Sequence, residues 1–421
     1  MRIFLYNSVQ MGLFFLGFPI WLWIALKKKY RSGVWRKFCL YSEPQGHSEG
    51  WILVHGVSVG EINAALPFIE KLKKRFPHQP LLVTSSTETG IANARRQIQG
   101  AVIEYFPLDF YPVVARFFKT YPIQKVFVLE TEIWPNFFHL AKKKNIPVYL
   151  VNARLSDHSF PRYRFFKGML SSFLGNCEKI FCQSELDKER FLELGVSGES
   201  LEVTSSMKFD AAVMALKNSL DIPKKNGPWV KSLENGLVWV AASTQENESR
   251  LCVEIYRELK KEFSNLKLVL VPRKVESLKG LVAEWESQGN PFSLRSALKD
   301  QGQMQDLLLV DTMGELFYFL QFASVVFVGK TFSSPGGGQN PLEPAVLGRA
   351  IVLGPSYENF KTIVEEMKAA GAIVIAQKSE DLRESLRRLL SDSAERSRLG
   401  ALAKSYVLSK GSACDRILGK L

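Results

Sequence analysis

A glycine-rich segment, residues 335–344, carries groups suited to binding a phosphate and a sugar. It reads Pro-Gly-Gly-Gly-Gln-Asn-Pro-Leu-Glu-Pro and follows an apolar run, residues 323–329, that is typical of a buried strand. Because glycine has no Cβ, the backbone N–H groups can approach a ligand, and a helix predicted from Pro341 adds unpaired N–H groups and a positive dipole end. Asn340 and Glu343 could then hydrogen-bond sugar hydroxyls. An ordinary strand-to-helix turn is the structural alternative.

A carboxylate, Glu61, closes a second glycine-containing turn, His55-Gly-Val-Ser-Val-Gly-Glu61, at the predicted start of a helix. A carboxylate at the mouth of a cleft can accept a proton from a hydroxyl, which is what a general base must do. Acidic residues in the first turn of a helix also complement its dipole. Both interpretations of Glu61 stay open from position alone.

Further charged groups follow predicted strands. Glu130 and Glu132 lie two residues apart and face the same side if the strand continues, with Trp134 as an apolar wall; a structural pair bound to arginines is the alternative. Arg154 would meet a phosphate or one of these glutamates, or form a salt bridge. Arg273 stands at a strand end where bidentate phosphate binding is easy, and residues 311–316 form another strand-to-helix turn.

The elements that must position these groups alternate between strands and helices, which predicts parallel sheets covered on both faces. Strands are predicted in two series, with the polar passage at residues 217–228 as the linker: 51–55, 81–84, 125–129, 148–151 and 179–183, then 237–241, 266–271, 307–310, 325–328, 350–353 and 372–375. The predicted domains are residues 1–40, an anchor with a basic juxtamembrane segment; 41–216, a Rossmann-like domain; and 229–421, a second Rossmann-like domain with a helical tail. A ligand cleft is expected between the two, at the carboxyl ends of the strands.

The composition of the chain limits the classes of function that it can have. The 421 residues carry a net charge of +13 with 46% hydrophobic residues, which supports large cores and an anionic partner. The sequence spacing of the five cysteines fits no usual metal site, so we expect them to be reduced thiols. The absence of a Walker loop and of a complete dinucleotide fingerprint argues against an NTPase or a dehydrogenase.

The N-terminal segment predicts a membrane anchor. Residues 11–26 contain no polar side chain, and the first 42 residues hold seven bases and no acid. The stretch is near the length needed to cross a bilayer, and the basic block after it places the remainder in the cytoplasm. A buried core helix is the alternative, and a segment that lies in the interface rather than spanning also stays open.

Together these segments resemble the 3-deoxy-D-manno-octulosonic acid (Kdo) transferases of lipopolysaccharide synthesis, which are inverting enzymes with the two-domain GT-B fold. The resemblance runs from the anchor to about residue 370 and is carried by these stretches: 55–61, Thr84-Ser-Ser-Thr-Glu-Thr-Gly90, Pro107-Leu-Asp109, 130–136, 152–156, Lys208-Phe-Asp210, 311–316 and 340–344. It implies transfer of Kdo from CMP-Kdo to a lipid A precursor on the cytoplasmic face of the inner membrane. The implied partners are CMP-Kdo, the lipid A precursor and an anionic membrane surface, with no nucleic acid.

The resemblance also implies roles for individual residues. Glu61 takes the position of the general base, and Lys208 with Glu130 or Glu132 falls near the reacting groups. No metal or other cofactor is expected, because cations and helix ends can stabilise the leaving phosphate. The remaining implied positions are, for the donor, Pro272, Arg273, Met313, Gly314, Glu315, Leu316, Gly337, Gly338, Asn340 and Glu343, and, for the acceptor, Ser58, Gly60, Trp134 and Arg154.

The sequence departs from the family pattern around the predicted donor site. Gly329-Lys-Thr331 stands where the family has Gly-Gly-Ser, and Gln339 replaces a histidine. Ser205-Ser-Met207 and Lys274 also differ from the usual Gly-Asn-Leu and histidine. These changes leave two alternatives: a transferase for another CMP-activated acidic sugar or a modified lipid, and a non-catalytic relative that binds the lipid A precursor. A nucleic-acid binder would explain the charge but neither the anchor nor the glycine turns.

Overall fold

The computed structural model describes residues 3–4, 6–12, 33, 35–40, 50–220, 227–298 and 302–421, and the chain divides into two compact units. The first comprises Met1–Ala211 and Gly411–Leu421, and the second Ala212–Lys410. The predicted anchor, residues 11–26, lies almost entirely outside the described residues. Within the described part of the chain, no helix has the length and apolar character needed to cross a membrane.

The first unit is built on a seven-stranded parallel sheet in the order β3-β2-β1-β4-β5-β6-β7. Its strands are β1 (Trp51–His55), β2 (Leu81–Ser85), β3 (Val102–Tyr105), β4 (Ile123–Leu129), β5 (Val148–Ala153), β6 (Lys179–Cys182) and β7 (Leu201–Val203). The α-helices over Val59 to Leu220 are Val59–Arg75, Glu88–Gln97, Tyr111–Thr120, Pro135–Lys143, Phe160–Phe165, Lys167–Leu174, Glu185–Glu193 and Met207–Leu220, and the C-terminal helix of this unit is Ala413–Leu418.

The second unit repeats this architecture, with a parallel sheet in the order β10-β11-β9-β8-β12-β13-β14. Its strands are β8 (Leu237–Thr244), β9 (Leu266–Pro272), β10 (Ser293–Leu294), β11 (Leu307–Leu309), β12 (Val325–Val328), β13 (Ala350–Leu353) and β14 (Val374–Ile375). Its α-helices are Pro228–Glu234, Glu246–Glu262, Leu278–Ser287, Leu316–Leu320, Leu342–Val346, Lys361–Ala369, Ser379–Ser391 and Ser393–Lys410.

Central strands such as β1 and β12 are buried along their whole length, because helices cover both faces of each sheet. The prediction of two parallel, Rossmann-like α/β units is therefore confirmed. In both sheets the strand order reverses beside the first strand of the unit, at β1/β4 and at β8/β12. Open α/β sheets bind ligands at such a switch point, outside the carboxyl ends of the strands.

Two boundaries differ from the sequence prediction. The helix Met207–Leu220 runs through the first four residues predicted as linker. Residues 411–421, predicted to end the second domain, belong to the first unit. Asp210 accounts for this placement, because its carboxylate accepts hydrogen bonds from the N–H groups of Ala413 (3.0 Å) and Cys414 (3.4 Å) and so caps the C-terminal helix.

Candidate active site

Glu61 lies in the first turn of the helix that follows β1, where its carboxylate is fixed by two neighbouring groups. Val57 N–H donates to Oε2 (2.8 Å), and Ser58 Oγ–H donates to Oε1 (2.9 Å). Ser58 is also the N-cap of the helix, and its Oγ accepts from Glu61 N–H at 3.3 Å. The structural alternative for Glu61, stabilisation of the helix start, is thus present, and the same bonds orient its carboxylate. Gly60 lies between the capping pair.

The environment of Glu61 favours the protonated form more than water does. Burial is the largest cause that raises the pKa of Glu61, and the negative charge of Glu130 adds to it. The hydrogen bonds from Val57 and Ser58 act in the opposite direction. A carboxylate with a raised pKa is a stronger base than an exposed one, which suits proton abstraction from a hydroxyl.

Glu130 and Glu132 follow β4, on the other side of the switch point from Glu61. Glu130 adopts a left-handed backbone conformation (φ 55°), and its N–H donates to Val151 O at 2.9 Å. Burial, then the charges of Glu61 and Glu130, raises the pKa of Glu132 to about 7. The mutual influence of the three carboxylates shows that the two turns share one electrostatic environment.

Lys208 supplies a positive charge to this acidic cluster from the start of the helix Met207–Leu220. Burial lowers the pKa of Lys208, whereas the charges of Glu130 and Glu61 raise it, and Arg154 lowers it. The lysine therefore lies within electrostatic range of both predicted catalytic turns. Glu61, Glu130, Glu132 and Lys208, which we call the acid–lysine cluster, are brought together from three separate segments of the first unit.

Backbone contacts hold the segments of this cluster in place. Thr131 Oγ1 donates to Arg154 O (2.6 Å) and accepts from Arg154 N–H (3.3 Å), which ties the ends of β4 and β5 together. Tyr163 OH donates to Thr131 O at 3.0 Å. The Asn152 side chain accepts from Met207 N–H at 3.0 Å, which fixes the helix that carries Lys208.

Trp134 is positioned by the helix that follows it. The Asp109 carboxylate accepts from the N–H groups of Asn136 (3.0 Å) and Phe137 (2.9 Å), so it caps the helix Pro135–Lys143. The Trp134 ring packs 5.7 Å from that of Phe106, and the side chain is half-buried. Trp134 is thus held against Phe106, and its role as an apolar wall beside Glu130 and Glu132 stays a prediction.

His55, at the start of the Glu61 turn, packs in the core and has a structural role. Its ring is fully buried, stacks on Phe106 with 3.8 Å between ring centroids, and lies 3.0 Å from Thr84 Oγ1 through Nδ1. Burial lowers the pKa of His55 to about 3, so the ring is neutral at physiological pH. It packs beneath the turn and carries no charge to a substrate.

In the second unit, the predicted donor residues lie around the ends of β9 and β12. Pro272 ends β9 and is buried, whereas Arg273 is exposed, with its N–H bonded to Thr244 O at 2.9 Å. Asn340 Nδ2–H donates to Glu343 Oε1 at 3.1 Å. Burial raises the pKa of Glu343, while this hydrogen bond and the charge of Arg273 lower it. Arg273, Asn340 and Glu343 therefore form one interacting group.

Packing within the protein requires glycine at two positions of the glycine loop. Gly337 and Gly338 have φ values of 111° and 74°, which residues with a Cβ rarely adopt. A Cβ on Gly337 would lie 2.6 Å from Asn359 Nδ2, and one on Gly338 would lie 3.1 Å from Tyr357 Cα. The glycines are therefore required by close packing against the protein's own segment 356–359.

The turn at residues 311–316 holds its acidic residue in a salt bridge. Arg295 donates to Glu315 Oε1 through Nη2 (3.0 Å) and Nε (3.2 Å), and Thr312 Oγ1 donates to Glu315 Oε2. Met313 is 78% exposed beside Gly314, and the helix begins at Leu316 with Glu315 as its N-cap. Glu315 thus stabilises the turn, which presents its backbone and Met313 to solvent.

Among the described residues, no group of three or more histidine, cysteine, aspartate or glutamate side chains is arranged to hold a metal ion. The five cysteines are buried and unpaired with one another.

Comparison with known proteins shows which proteins this chain resembles. Residues 32–211 match the family model described as 3-deoxy-D-manno-octulosonic-acid transferase (kdotransferase). A 3-deoxy-D-manno-octulosonic acid transferase of Haemophilus influenzae is 28% identical over 397 residues, covering 93% of this chain and 91% of the relative. One from Bordetella pertussis is 27% identical over 418 residues, covering 96% and 95%. The chain is a homologue of the Kdo transferases.

This homology confirms the resemblance stated from the sequence motifs. The fold also agrees with a solved structure, the UDP-GlcNAc 2-epimerase of Neisseria meningitidis, at a TM-score of 0.60 and 14% identity over 88% of this chain and 98% of that one. At such low identity the likeness concerns the fold alone. It is consistent with the two Rossmann-like units and with a GT-B-like fold for this Kdo transferase homologue.

Two carboxylates that hold other segments of this chain in place, Glu248 and Asp210, were not predicted from the sequence. Glu248 is fully buried at the start of the helix Glu246–Glu262 and accepts from Gln245 N–H at 2.9 Å. Asp210, quoted only as part of a motif, holds the C-terminal helix. The signal for Glu248 was its position three residues after Gln245, where a capping carboxylate is common. The partner of Asp210 lies 203 residues away and left no local signal.

Proposed function

We propose that this protein is an inverting glycosyltransferase that moves Kdo from CMP-Kdo to a lipid A precursor. The donor and the type of reaction rest on homologues that carry the name 3-deoxy-D-manno-octulosonic acid transferase and align over nearly the whole chain. The observation that carries the chemistry is the acid–lysine cluster at the β1/β4 switch point. It provides a fixed carboxylate, Glu61, whose pKa is raised by burial and by a second carboxylate.

In the proposed reaction, Glu61 removes the proton from the acceptor hydroxyl. The freed oxygen attacks the anomeric carbon of Kdo from the face opposite the leaving group, while the bond from that carbon to the phosphate oxygen of CMP breaks. CMP leaves with the bonding electrons, so the configuration inverts. Lys208 holds the carboxylates of the cluster together and limits their mutual repulsion.

The second unit is proposed to bind CMP-Kdo. Arg273, exposed at the end of β9, would pair with the phosphate, and Asn340 and Glu343 would contact the sugar. Developing negative charge on the phosphate would be stabilised by the arginine, so the proposal requires no metal ion.

The acceptor is proposed to be a phosphorylated lipid presented at the cytoplasmic face of the inner membrane, with residues 11–26 as the anchor. The net charge of +13 favours an anionic membrane surface. Most of the exposed large hydrophobic side chains in the described residues belong to the first unit, among them Phe165 (82% exposed) and Phe166 (53%). Arg162, Arg164 and Lys167 are exposed beside them, a combination suited to a lipid headgroup region.

The test is an assay of the full chain with CMP-Kdo generated beforehand and a tetraacyl lipid A precursor as acceptor. EDTA is added together with the acceptor, and the lipid is analysed by mass spectrometry. We expect one or more Kdo mass increments, unchanged by EDTA. A folded protein that binds CMP but forms no product would contradict the proposal. It would then favour another CMP-activated acidic sugar or a non-catalytic role, and Gln339 and Lys330 would be the first positions to replace.

A further inference from the structure

The loop that follows β12, residues 329–332, is folded around a buried carboxylate from another segment. Glu248 Oε2 accepts from Lys330 N–H (2.7 Å), and its Oε1 accepts from Thr331 N–H and Phe332 N–H, both at 2.8 Å. Three successive N–H groups that converge on one anion form a nest, the arrangement by which loops commonly bind phosphate. In this protein the anion is part of the chain itself.

The loop conformation depends on this contact. Lys330 adopts the left-handed region (φ 60°), which brings neighbouring N–H groups to the same side and is unfavourable for a residue with a side chain. Glu248 is 0% exposed and also accepts from Gln245 N–H, so its lone pairs are engaged on both oxygens. Ser333 Oγ–H donates to Asn247 Oδ1 at 3.1 Å, which adds a second link between loop and helix.

The loop in turn holds the glycine segment. Gly338 N–H donates to Lys330 O (2.9 Å), and Gln339 N–H donates to Gly329 O (3.1 Å). Asn340, next in the chain, begins the turn that carries Glu343. A continuous set of hydrogen bonds therefore runs from Glu248 through the loop to the predicted donor residues.

The space around this loop allows little adjustment. A Cβ on Gly329 would lie 2.6 Å from Thr244 Cα, so the ends of β8 and β12 are in close backbone contact. If the carboxylate were lost, the loop could not move closer to β8 to compensate. The buried N–H group of Thr331 and the part-buried N–H groups of Lys330 and Phe332 would lose their acceptor, and such unsatisfied groups are costly.

We propose that Glu248 is a positioning residue that sets the geometry of the donor site in the second unit. It does not contact the donor; it acts through residues 330–332 and 338–339. Because Glu248 occupies the nest, the donor phosphate binds elsewhere, at Arg273 and the glycine segment. The link to the donor rests on the proposed function, whereas the control of loop geometry does not.

The test compares Glu248→Gln with Glu246→Gln in the full chain. Glutamine has the same shape but one acceptor oxygen fewer, and its NH₂ group would face backbone N–H donors. Glu246 lies on the same helix and pairs only at the surface, with Arg250. Hydrogen exchange of peptides covering residues 328–341 reports loop geometry, and calorimetric titration with CMP reports donor affinity.

For Glu248→Gln we expect faster exchange confined to residues 330–332 and 338–339. We also expect CMP affinity to fall and the KM for CMP-Kdo to rise by about tenfold, with a smaller effect on kcat. Glu248→Asp, which keeps the charge but is one methylene shorter, should give an intermediate exchange rate and is the second variant if Glu248→Gln does not fold. Glu246→Gln should match wild type.

Unchanged exchange at residues 330–339 in folded Glu248→Gln, or equal acceleration throughout the second unit, would overturn the inference. Loop loosening with unchanged CMP affinity would overturn the link to the donor. Wild type that binds no CMP and forms no Kdo product would overturn the proposed function and the donor link, and the exchange result would still decide whether Glu248 controls the loop.

Discussion

The two units use their carboxylates in different ways. At the β1/β4 switch point of the first unit, Glu61, Glu130 and Glu132 act on one another electrostatically, and burial raises the pKa of Glu61 and Glu132. In the second unit, Glu248 accepts backbone N–H groups at the β8/β12 switch point, and Glu315, in the turn after β11, is paired with Arg295.

The contrast separates two tasks that one fold can support. Carboxylates that repel one another in a partly buried site are poised to exchange protons near neutral pH. Carboxylates whose lone pairs are occupied by N–H groups and guanidinium hold loops in shape. We therefore assign proton transfer to the first unit and donor recognition to the second, and the following predictions test that division.

The largest expected effect is that of Glu61→Gln on kcat. Removal of the base should reduce kcat for Kdo transfer by about 10²–10⁴-fold, the usual contribution of general base catalysis, with the KM for CMP-Kdo nearly unchanged. Glutamine can still accept the capping hydrogen bonds through one oxygen, so the fold should persist. Single-turnover kinetics measure the effect, and Glu70→Gln on the same helix is the control. Activity within a few-fold of wild type would exclude Glu61 as the base.

The next effect concerns Arg273→Ala. Loss of a charge-assisted contact to phosphate costs about 1.5–3 kcal/mol, which corresponds to an increase of about 10–150-fold in the KM for CMP-Kdo. The acceptor KM should not change. Lys274→Ala is the control, because Lys274 is the adjacent exposed base. Both variants are measured by steady-state kinetics with each substrate varied in turn. Equal KM values for CMP-Kdo in Arg273→Ala and Lys274→Ala would contradict the role of Arg273.

A third prediction concerns pH. Glu61 must be ionised to act as a base, and the negative charge of Glu130 is one cause that raises the pKa of Glu61. Glu130→Gln removes that charge, so the pKa of Glu61 should fall and the acid limb of kcat/KM should move to lower pH. The pH profile of the variant is compared with that of Glu199→Gln, an exposed glutamate in the same unit. A shift to higher pH would contradict the sign of the coupling.

The smallest effect is on stability. Asp210→Ala removes the acceptor of the Ala413 and Cys414 N–H groups, and loss of such a cap costs about 0.5–2 kcal/mol. Asp415→Ala on the same helix removes only an exposed ion pair with Lys71, which contributes about 0–1 kcal/mol. Thermal denaturation should therefore show a larger fall in Tm for Asp210→Ala. Equal values would mean that the cap does not hold the C-terminal helix.

The sequence predicted most of the fold because central strands of a parallel sheet are continuous apolar runs between turn signals. The strand β3 was missed because its pattern is broken by Glu104, which is 2% exposed and paired with Arg36 at 2.6 Å. The strand β10 has two residues and β7 three, which is too short for a recognisable pattern.

The candidate site was predicted as separate strand ends, because chain order shows which turns carry charged residues. It does not show which charges share an environment, or that the N–H groups of residues 330–332 are already bound by Glu248. The contact between Glu248 and Thr331, for example, spans 83 residues in sequence and has no local pattern. For the same reason, the packing of Gly337 and Gly338 against residues 356–359 was not predicted.

Calorimetric titration of CMP into wild type, Glu61→Gln and Arg273→Ala tests the division between the units most directly. We expect Glu61→Gln to bind CMP with the same Kd as wild type and Arg273→Ala to bind it at least about tenfold more weakly. Loss of CMP binding in Glu61→Gln, together with unchanged binding in Arg273→Ala, would contradict this division between the units.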